Sequence, residues 1–227
     1  MDRDVFTVLV VCQGNVNRSA LGAVLLERWA EWYLPKGAAE HVRVTSAGLG
    51  APVGSRMGRR TKVIAEALGA DPSRHRAAQI SEAHLRAADL VLVSSSDQRN
   101  SVLGLVPGAL VRTFTILEAG RVAEALPEWP APHSVDELRA RVLAIADNRI
   151  ARAGGGEDDI IDPQGKDDEA YRQMAREEVP ALAELARALF GMPRAEIAAY
   201  REAVEAAEYT FPPRGDAASA RGDRRHA

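Results

Sequence analysis

The sequence predicts an α/β fold: one three-layer domain with a four-stranded parallel sheet flanked by helices. Three observations predict it. Short, β-branched apolar runs alternate along the chain with segments of helical periodicity, as parallel strands buried on both faces require. The first run leads directly into a tight polar loop and then a helix, and open α/β sheets bind ligands at the carboxyl ends of their strands. The chain has 227 residues, 46% of them hydrophobic, which suits one sizeable core with an extension.

The elements follow in order. Val5–Val11 reads as the first buried strand, and Cys12–Ser19 as the loop after it. From Ala20 to about Trp32 the pattern is helical, with Leu21, Leu25, Trp29 and Trp32 on one face; Pro35 and Gly37 end it. Val42–Thr45 is the second strand, with Ser46-Ala47-Gly48 as its loop, and a helix is expected over Met57–Leu68 with Gly69 past its end. Leu90–Val93 is the third strand, leading through Ser94–Asp97 into a short helix with Val102 and Leu103. Val111–Thr115 is the fourth strand, and Ile116–Leu126 is helical. Ser134-Val135-Asp136-Glu137 has capping-box spacing, so a helix starts there. Ala153–Pro163 is a Gly- and Asp-rich loop, and a long helix covers Asp168–Phe190, with a kink expected at Pro180. The expected division is a domain over 1–192, a helical extension over 193–209 and a disordered tail over 210–227, whose composition offers little to bury.

Composition excludes several classes of function. The formal net charge of −3 argues against nonspecific nucleic-acid binding, which needs a strong positive field. No stretch is apolar and long enough to insert in a membrane, and the acidic start with its short apolar run does not resemble a secretory signal, so a cytoplasmic location is expected. The single cysteine can form no internal disulfide and no cysteine-rich metal site.

A lone cysteine is usually an inert core residue, but the neighbours of Cys12 say otherwise. In Cys12-Gln13-Gly14-Asn15-Val16-Asn17-Arg18-Ser19, a Cys and an Arg enclose five residues between a strand and a helix. Backbone N–H groups in such a loop form an anion-binding nest, and the helix dipole adds positive charge at the same place. Arg18 can grip two phosphate oxygens through its planar fork. The same field favours a thiolate at Cys12. Gly14 and Asn15 tolerate the left-handed backbone that a tight loop needs. Ser19 is placed to donate a hydroxyl to the sulfur. The segment therefore reads as a phosphate-binding loop, with Cys12 as nucleophile. Spacing alone would be weak; strand before and helix after make the pattern specific.

At these residues the chain resembles the low-molecular-weight protein tyrosine phosphatases, bacterial type, whose loop reads Cys-x-Gly-Asn-x-Cys-Arg-Ser. Cys12, Gly14, Asn15, Arg18 and Ser19 match. Ser46-Ala47-Gly48, the His75–Ile80 segment (His-x-Ala-x-Gln), Ala88–Val93 and Asp162-Pro163 extend the resemblance over roughly Val5–Phe190, with extra residues before Asp162. The resemblance implies that Cys12 attacks phosphorus to give a phosphocysteine, Arg18 and the loop residues Gln13–Asn17 and Ser19 bind the phosphoryl group, and Asp162 is the general acid. It also implies that Asn15, Ser19, Ser46 and His75 form the hydrogen-bond network that holds the loop. No metal or other cofactor is needed, because Arg18 and the amides supply the positive field. Without the family, His75 would read as structural and the aspartates around Asp162 as a solvated acidic loop. The expected substrate is a phosphorylated protein or a small phosphomonoester, with phosphotyrosine the class the resemblance favours.

The chain departs from the family in instructive places. Asn17 replaces the second loop cysteine, which in the family can pair with the nucleophile, and Ala20 replaces the usual proline. Leu49-Gly50-Ala51 and Gln164-Gly165 stand where tyrosine-directed relatives carry aromatic residues. The Asp-Pro-x-Gly form resembles relatives that dephosphorylate arginine, whereas the apolar Val16 resembles tyrosine-directed members. A protein-arginine phosphatase is therefore one alternative. An arsenate reductase-like enzyme using an external thiol is a second, since one cysteine allows no internal relay. A phosphoryl-binding module without turnover is a third, opposed by the intact nucleophile.

Overall fold

The computed structural model describes residues 4–149 and 158–212. Its sheet has four strands: β1 (Phe6–Cys12), β2 (Val42–Gly48), β3 (Leu90–Val93) and β4 (Thr113–Thr115). All pairings are parallel and the order is β2-β1-β3-β4. Chain order reverses beside β1, so the carboxyl ends of β1 and β3 border the crevice in which such sheets hold ligands. Cys12 is the last residue of β1.

Side chains alternate across the sheet. Phe6, Val8, Val10, Leu90, Leu92 and Phe114 point into one core. That core is closed by α1 (Arg18–Tyr33), α3 (Arg59–Ala67), α6 (Ile116–Glu124), α7 (Val135–Asp147), α8 (Asp168–Phe190) and α9 (Arg194–Ala206). Leu9, Val11, Val91 and Val93 point the other way, onto α4 (Glu82–Ala87) and α5 (Ser96–Leu105). The short α2 (Lys36–Ala39) bridges α1 and β2. Helices thus cover both faces of the sheet; β1, β3 and β4 are buried almost wholly, which is why the first and third strands read as apolar runs, while the edge strand β2 stays partly exposed.

Ser134 caps α7 as its spacing predicts, its hydroxyl accepting from Glu137 N–H. Gly69 (φ +80°) and Gly191 (φ +81°) take the left-handed backbone just beyond α3 and α8. Ser46–Gly48, expected as loop, extends β2. Val111 and Arg112, expected in the fourth strand, close a 3-10 helix over Pro107–Arg112 instead. Trp29 is buried as expected, but Trp32 is 50% exposed. It lies near the end of α1, where Arg28 stacks over its ring at 4.8 Å.

α8 continues through Pro180. α9 is not a separate appendage. Ile197, Tyr200, Val204 and Tyr209 share the α1 and α8 core, and Tyr200 meets the Trp29 ring edge-on at 4.9 Å. Residues 210–212, expected to open a disordered tail, lie among the described residues, and Phe211 packs beside Tyr171 and Tyr209, with Arg172 above its ring. The rest of that tail, 213–227, lies outside the described residues.

Candidate active site

The loop after β1 wraps around the Cys12 sulfur. Asn15 N–H donates to Sγ at 3.2 Å, and the Ser19 hydroxyl lies 2.9 Å from it. The Asn15 side chain donates to the Ser19 oxygen at 2.9 Å, leaving the Ser19 proton for the sulfur. Asn15 itself has φ +51°, the only positive φ at a non-glycine among the described residues. Its short polar side chain tolerates this conformation. Gly14, expected to share it, does not.

Supports arrive from two directions. Asn15 Oδ1 accepts Ala78 N–H at 2.9 Å, and the half-buried His75 holds the Asn15 carbonyl through Nε2 at 2.8 Å. Burial pushes the His75 imidazole below its ordinary range, the Asn15 carbonyl opposes this, and Arg76 lowers it further. The ring is therefore neutral near neutral pH and donates from Nε2 to the carbonyl. Gly48 lets β2 approach: a Cβ there would lie 2.7 Å from the Gln13 carbonyl and 3.0 Å from Asn15 N. Gln79 holds the next segment, accepting from Ala51 N–H and donating to the Leu49 carbonyl. Ser46 sits in β2 opposite Val10, and its hydroxyl has no hydrogen-bond partner among the described residues. The expected support from Ser46 is absent; Gly48 and the His75–Gln79 segment fill that role.

The N–H groups of Gly14, Val16, Asn17 and Arg18 have no protein acceptor among the described residues. They lie in the loop that opens α1, where the helix dipole favours negative charge. A cavity of about 280 Å³ opens above the sulfur, lined by Cys12, Gln13, Gly14, Val16, Asn17, Arg18, Gly50, Pro52, Asp162 and Gln164. Asn15 and Ser19, expected both to bind substrate and to hold the loop, lie fully buried beneath the cavity and do not line it; their hydrogen bonds are those that hold the loop. Among the described residues no aromatic ring lines the walls.

Asp162 closes the far side. Its Oδ2 accepts from Arg18 Nη2 at 2.6 Å, and its Oδ1 accepts Gln164 N–H at 3.1 Å. Arg18 Nη1 donates to the Ile160 carbonyl, while its buried Nε has no partner. The Asp162 segment is fixed to the sheet where Ile160 N–H bonds the Ser94 carbonyl at the end of β3. The neighbouring aspartates are occupied elsewhere: Asp158 with Arg121, Asp159 with Ser96 N–H, Asp167 at the start of α8, and Asp168 with Arg60. Asp162 alone of the five reaches the cavity.

The sequence profile of the family described as low molecular weight phosphotyrosine protein phosphatase matches residues 7–118. The low molecular weight protein-tyrosine-phosphatase Ptp of Acinetobacter johnsonii is 30% identical over 109 residues, 48% of this chain and 70% of that protein. This chain belongs to that family. A second family relative, the protein-arginine-phosphatase of Geobacillus stearothermophilus, is 29% identical over 149 residues, 63% of this chain and 95% of the relative. Among solved structures, the YwlE arginine phosphatase of the same organism matches with a TM-score of 0.57 at 26% identity, covering 80% of this chain and 91% of that one. The tyrosine phosphatase amsI of Erwinia amylovora matches with a TM-score of 0.58 at 22% identity, over 82% and 93% of the two chains, which supports the shared family fold.

Sequence reasoning missed three contributors. Gln164 was notable only for lacking an aromatic ring, yet it lines the cavity. Thr61 donates to Asn17 Oδ1 at 2.8 Å. Glu178, fully buried on α8, faces the Arg18 end of α1, and burial raises its carboxyl well above the usual range against the opposing charge of Arg18. Nothing local marks a mid-helix glutamate as buried.

Proposed function

We propose that this phosphatase hydrolyses phosphomonoesters on proteins through a phosphocysteine intermediate, with phosphotyrosine as substrate class. The observation that carries the reading is the convergence on one cavity of a sulfur holding two hydrogen-bond donors, an arginine fork and a carboxyl group. The phosphoryl group sits over Cys12, its oxygens on the free loop N–H groups and on Arg18, which turns from Asp162 to take it. Sγ attacks phosphorus as the bond to the leaving oxygen breaks, and Asp162 delivers the proton that oxygen needs. Asp162 then takes a proton from water as it attacks the phosphocysteine, releasing phosphate and the thiolate. The Ser19 hydroxyl stabilises the sulfur as it leaves. Fixed donors supply the electrostatic stabilisation without rearranging during the reaction. Among the described residues no helix is long and apolar enough to cross a membrane, and a catalytic thiol suits a reducing compartment such as the cytoplasm.

A second reading, a protein-arginine phosphatase, is favoured by the absence of aromatic rings from the cavity walls and by the relative matched over 95% of its length. The deciding experiment compares kcat/KM on one peptide carrying phosphotyrosine or phosphoarginine. Preference for phosphotyrosine supports the first reading, and preference for phosphoarginine replaces it with the second. Cys12→Ser and Arg18→Ala each abolish turnover on either peptide; near-normal turnover in either variant sinks the mechanism.

A further inference from the structure

We propose that Asn17 is a positioning residue for the acid loop: its carboxamide ties the phosphate-binding loop to Gln164 and so holds the Asp162 carboxyl over the cavity. The proposal rests on the reading of Asp162 as general acid.

Asn17 stands where the family motif has a second cysteine, and it is 4% exposed. Its Nδ2 donates to Gln164 Oε1 at 2.9 Å, and its Oδ1 accepts from the Thr61 hydroxyl at 2.8 Å. Gly58 makes room for it, since a Cβ there would collide with Oδ1; Gly58 N–H in turn bonds the Val16 carbonyl at 2.8 Å. Gln164 then passes the constraint on, its own N–H donating to Asp162 Oδ1 at 3.1 Å. A continuous chain thus runs from α3 through the phosphate-binding loop to the acid. A carboxamide can donate on one side and accept on the other, whereas a thiol is only a weak donor and acceptor.

The tie matters because of what happens to Arg18. In the structure Asp162 is held by two side-chain links, its own ion pair with Arg18 and the Gln164 contact to Asn17. Substrate takes Arg18 for its phosphoryl oxygens, and the first link is given up just when the acid must be in place. The segment's backbone anchors, Ile160 to Ser94 and Ile161 N–H to Glu177, lie before Asp162 and do not reach the tip. The Asn17–Gln164 bond remains to keep the tip closed.

The test measures Asn17→Ala, Gln164→Ala, the double variant and Asp162→Asn in the full chain on aryl phosphates spanning good to poor leaving groups. Inorganic phosphate inhibition reports the cradle separately. Each single Ala variant is expected to lose about tenfold more kcat on the poorest leaving group than on the best, less than the ~10²-fold that a misplacement of about 1 Å can cost. Its phosphate inhibition constant stays within about twofold of the parent. The double variant is no worse than the more severe single, because the two residues share one bond. Losses equal across leaving groups, phosphate binding weakened in step with kcat, or additive effects in the double variant overturn the proposal. Gln164 is exposed, so its variant gives a result even if Asn17→Ala fails to fold. A flat leaving-group profile for Asp162→Asn overturns the acid assignment itself, and the proposal with it; a steep one beside flat Ala profiles overturns the tie alone.

Discussion

Replacing Asp162, the proposed general acid, by asparagine removes the proposed proton donor at nearly constant shape, and the structure sets two opposing effects. The amide can still accept from Gln164 N–H, so the tip keeps its local turn. It cannot deliver a proton to the leaving oxygen. Loss of a general acid costs about 10²–10⁴-fold, or roughly 2.7–5.4 kcal/mol of transition-state stabilisation. The variant also dissolves the 2.6 Å ion pair with Arg18, whose carboxylate side is 45% exposed. A half-exposed pair is worth about 0.2–1 kcal/mol. Freed Arg18 should therefore bind phosphate up to about fivefold more tightly. The assay is kcat and phosphate inhibition for both proteins, on phenyl phosphate and on an ester whose leaving group needs no proton. The expected result is a large kcat loss on the first, a much smaller one on the second, and unweakened phosphate binding. Equal losses on both esters, or the large loss appearing in Asp158→Asn or Asp168→Asn instead, would refute the reasoning.

Four other outcomes are expected. Cys12 is the only cysteine, so peroxide should inactivate the enzyme with only partial recovery in dithiothreitol, and phosphate should slow the loss; full recovery in the parent means another trap protects the sulfur. Asn17→Cys should raise the recoverable fraction while costing activity on poor leaving groups, since it trades the Gln164 bond for a resolving thiol. His75 has a folded pKa below its ordinary 6.5, so its neutral form contributes stability fully present above about pH 6.5 and lost as pH falls toward the folded value. Denaturant midpoints should fall with acidification below about pH 6.5, and His75→Gln should flatten that slope; an unchanged slope in the variant rejects the assignment. Glu178 runs the other way: its folded pKa lies well above 4.5, so its contribution is complete below about pH 4.5 and is lost as pH rises through the raised value. Glu178→Gln should gain in melting temperature over the parent as pH is raised, and a constant difference across the range would show that Glu178 does not titrate there.

Much of the fold was legible because its signals are local. The apolar runs at Phe6–Cys12 and Leu90–Val93 are wholly or almost wholly buried strands, and both read as such. The fourth strand was harder, because Val111 and Arg112 look like strand residues but lie in a 3-10 turn where both are partly or fully exposed. α4 offers six residues, too few for a periodicity to register. Trp32 has the apolar character of a core residue but sits near the end of α1 and beside Arg28, which its position in the helix does not disclose.

The sequence by itself determined the chemistry of the loop. Cys12, Asn15, Arg18 and Ser19 lie in one strand-to-helix connection, and the hydrogen bonds that link Cys12, Asn15 and Ser19 to one another span at most seven residues. Tertiary structure decided the rest of the site. Arg18 and Asp162 meet across 144 residues, and Asn17 and Gln164 across 147. Five aspartates between 158 and 168 are equivalent as letters; they differ only in which partner the folded chain brings to each. Ser46 and His75 looked alike as loop supports, and only the path of β2 showed that one has no partner there while the other reaches Asn15. Local spacing fixes what a residue can do with its neighbours. Which distant group it meets depends on how α8, the sheet and the acid loop pack, because those contacts form only when the whole core closes.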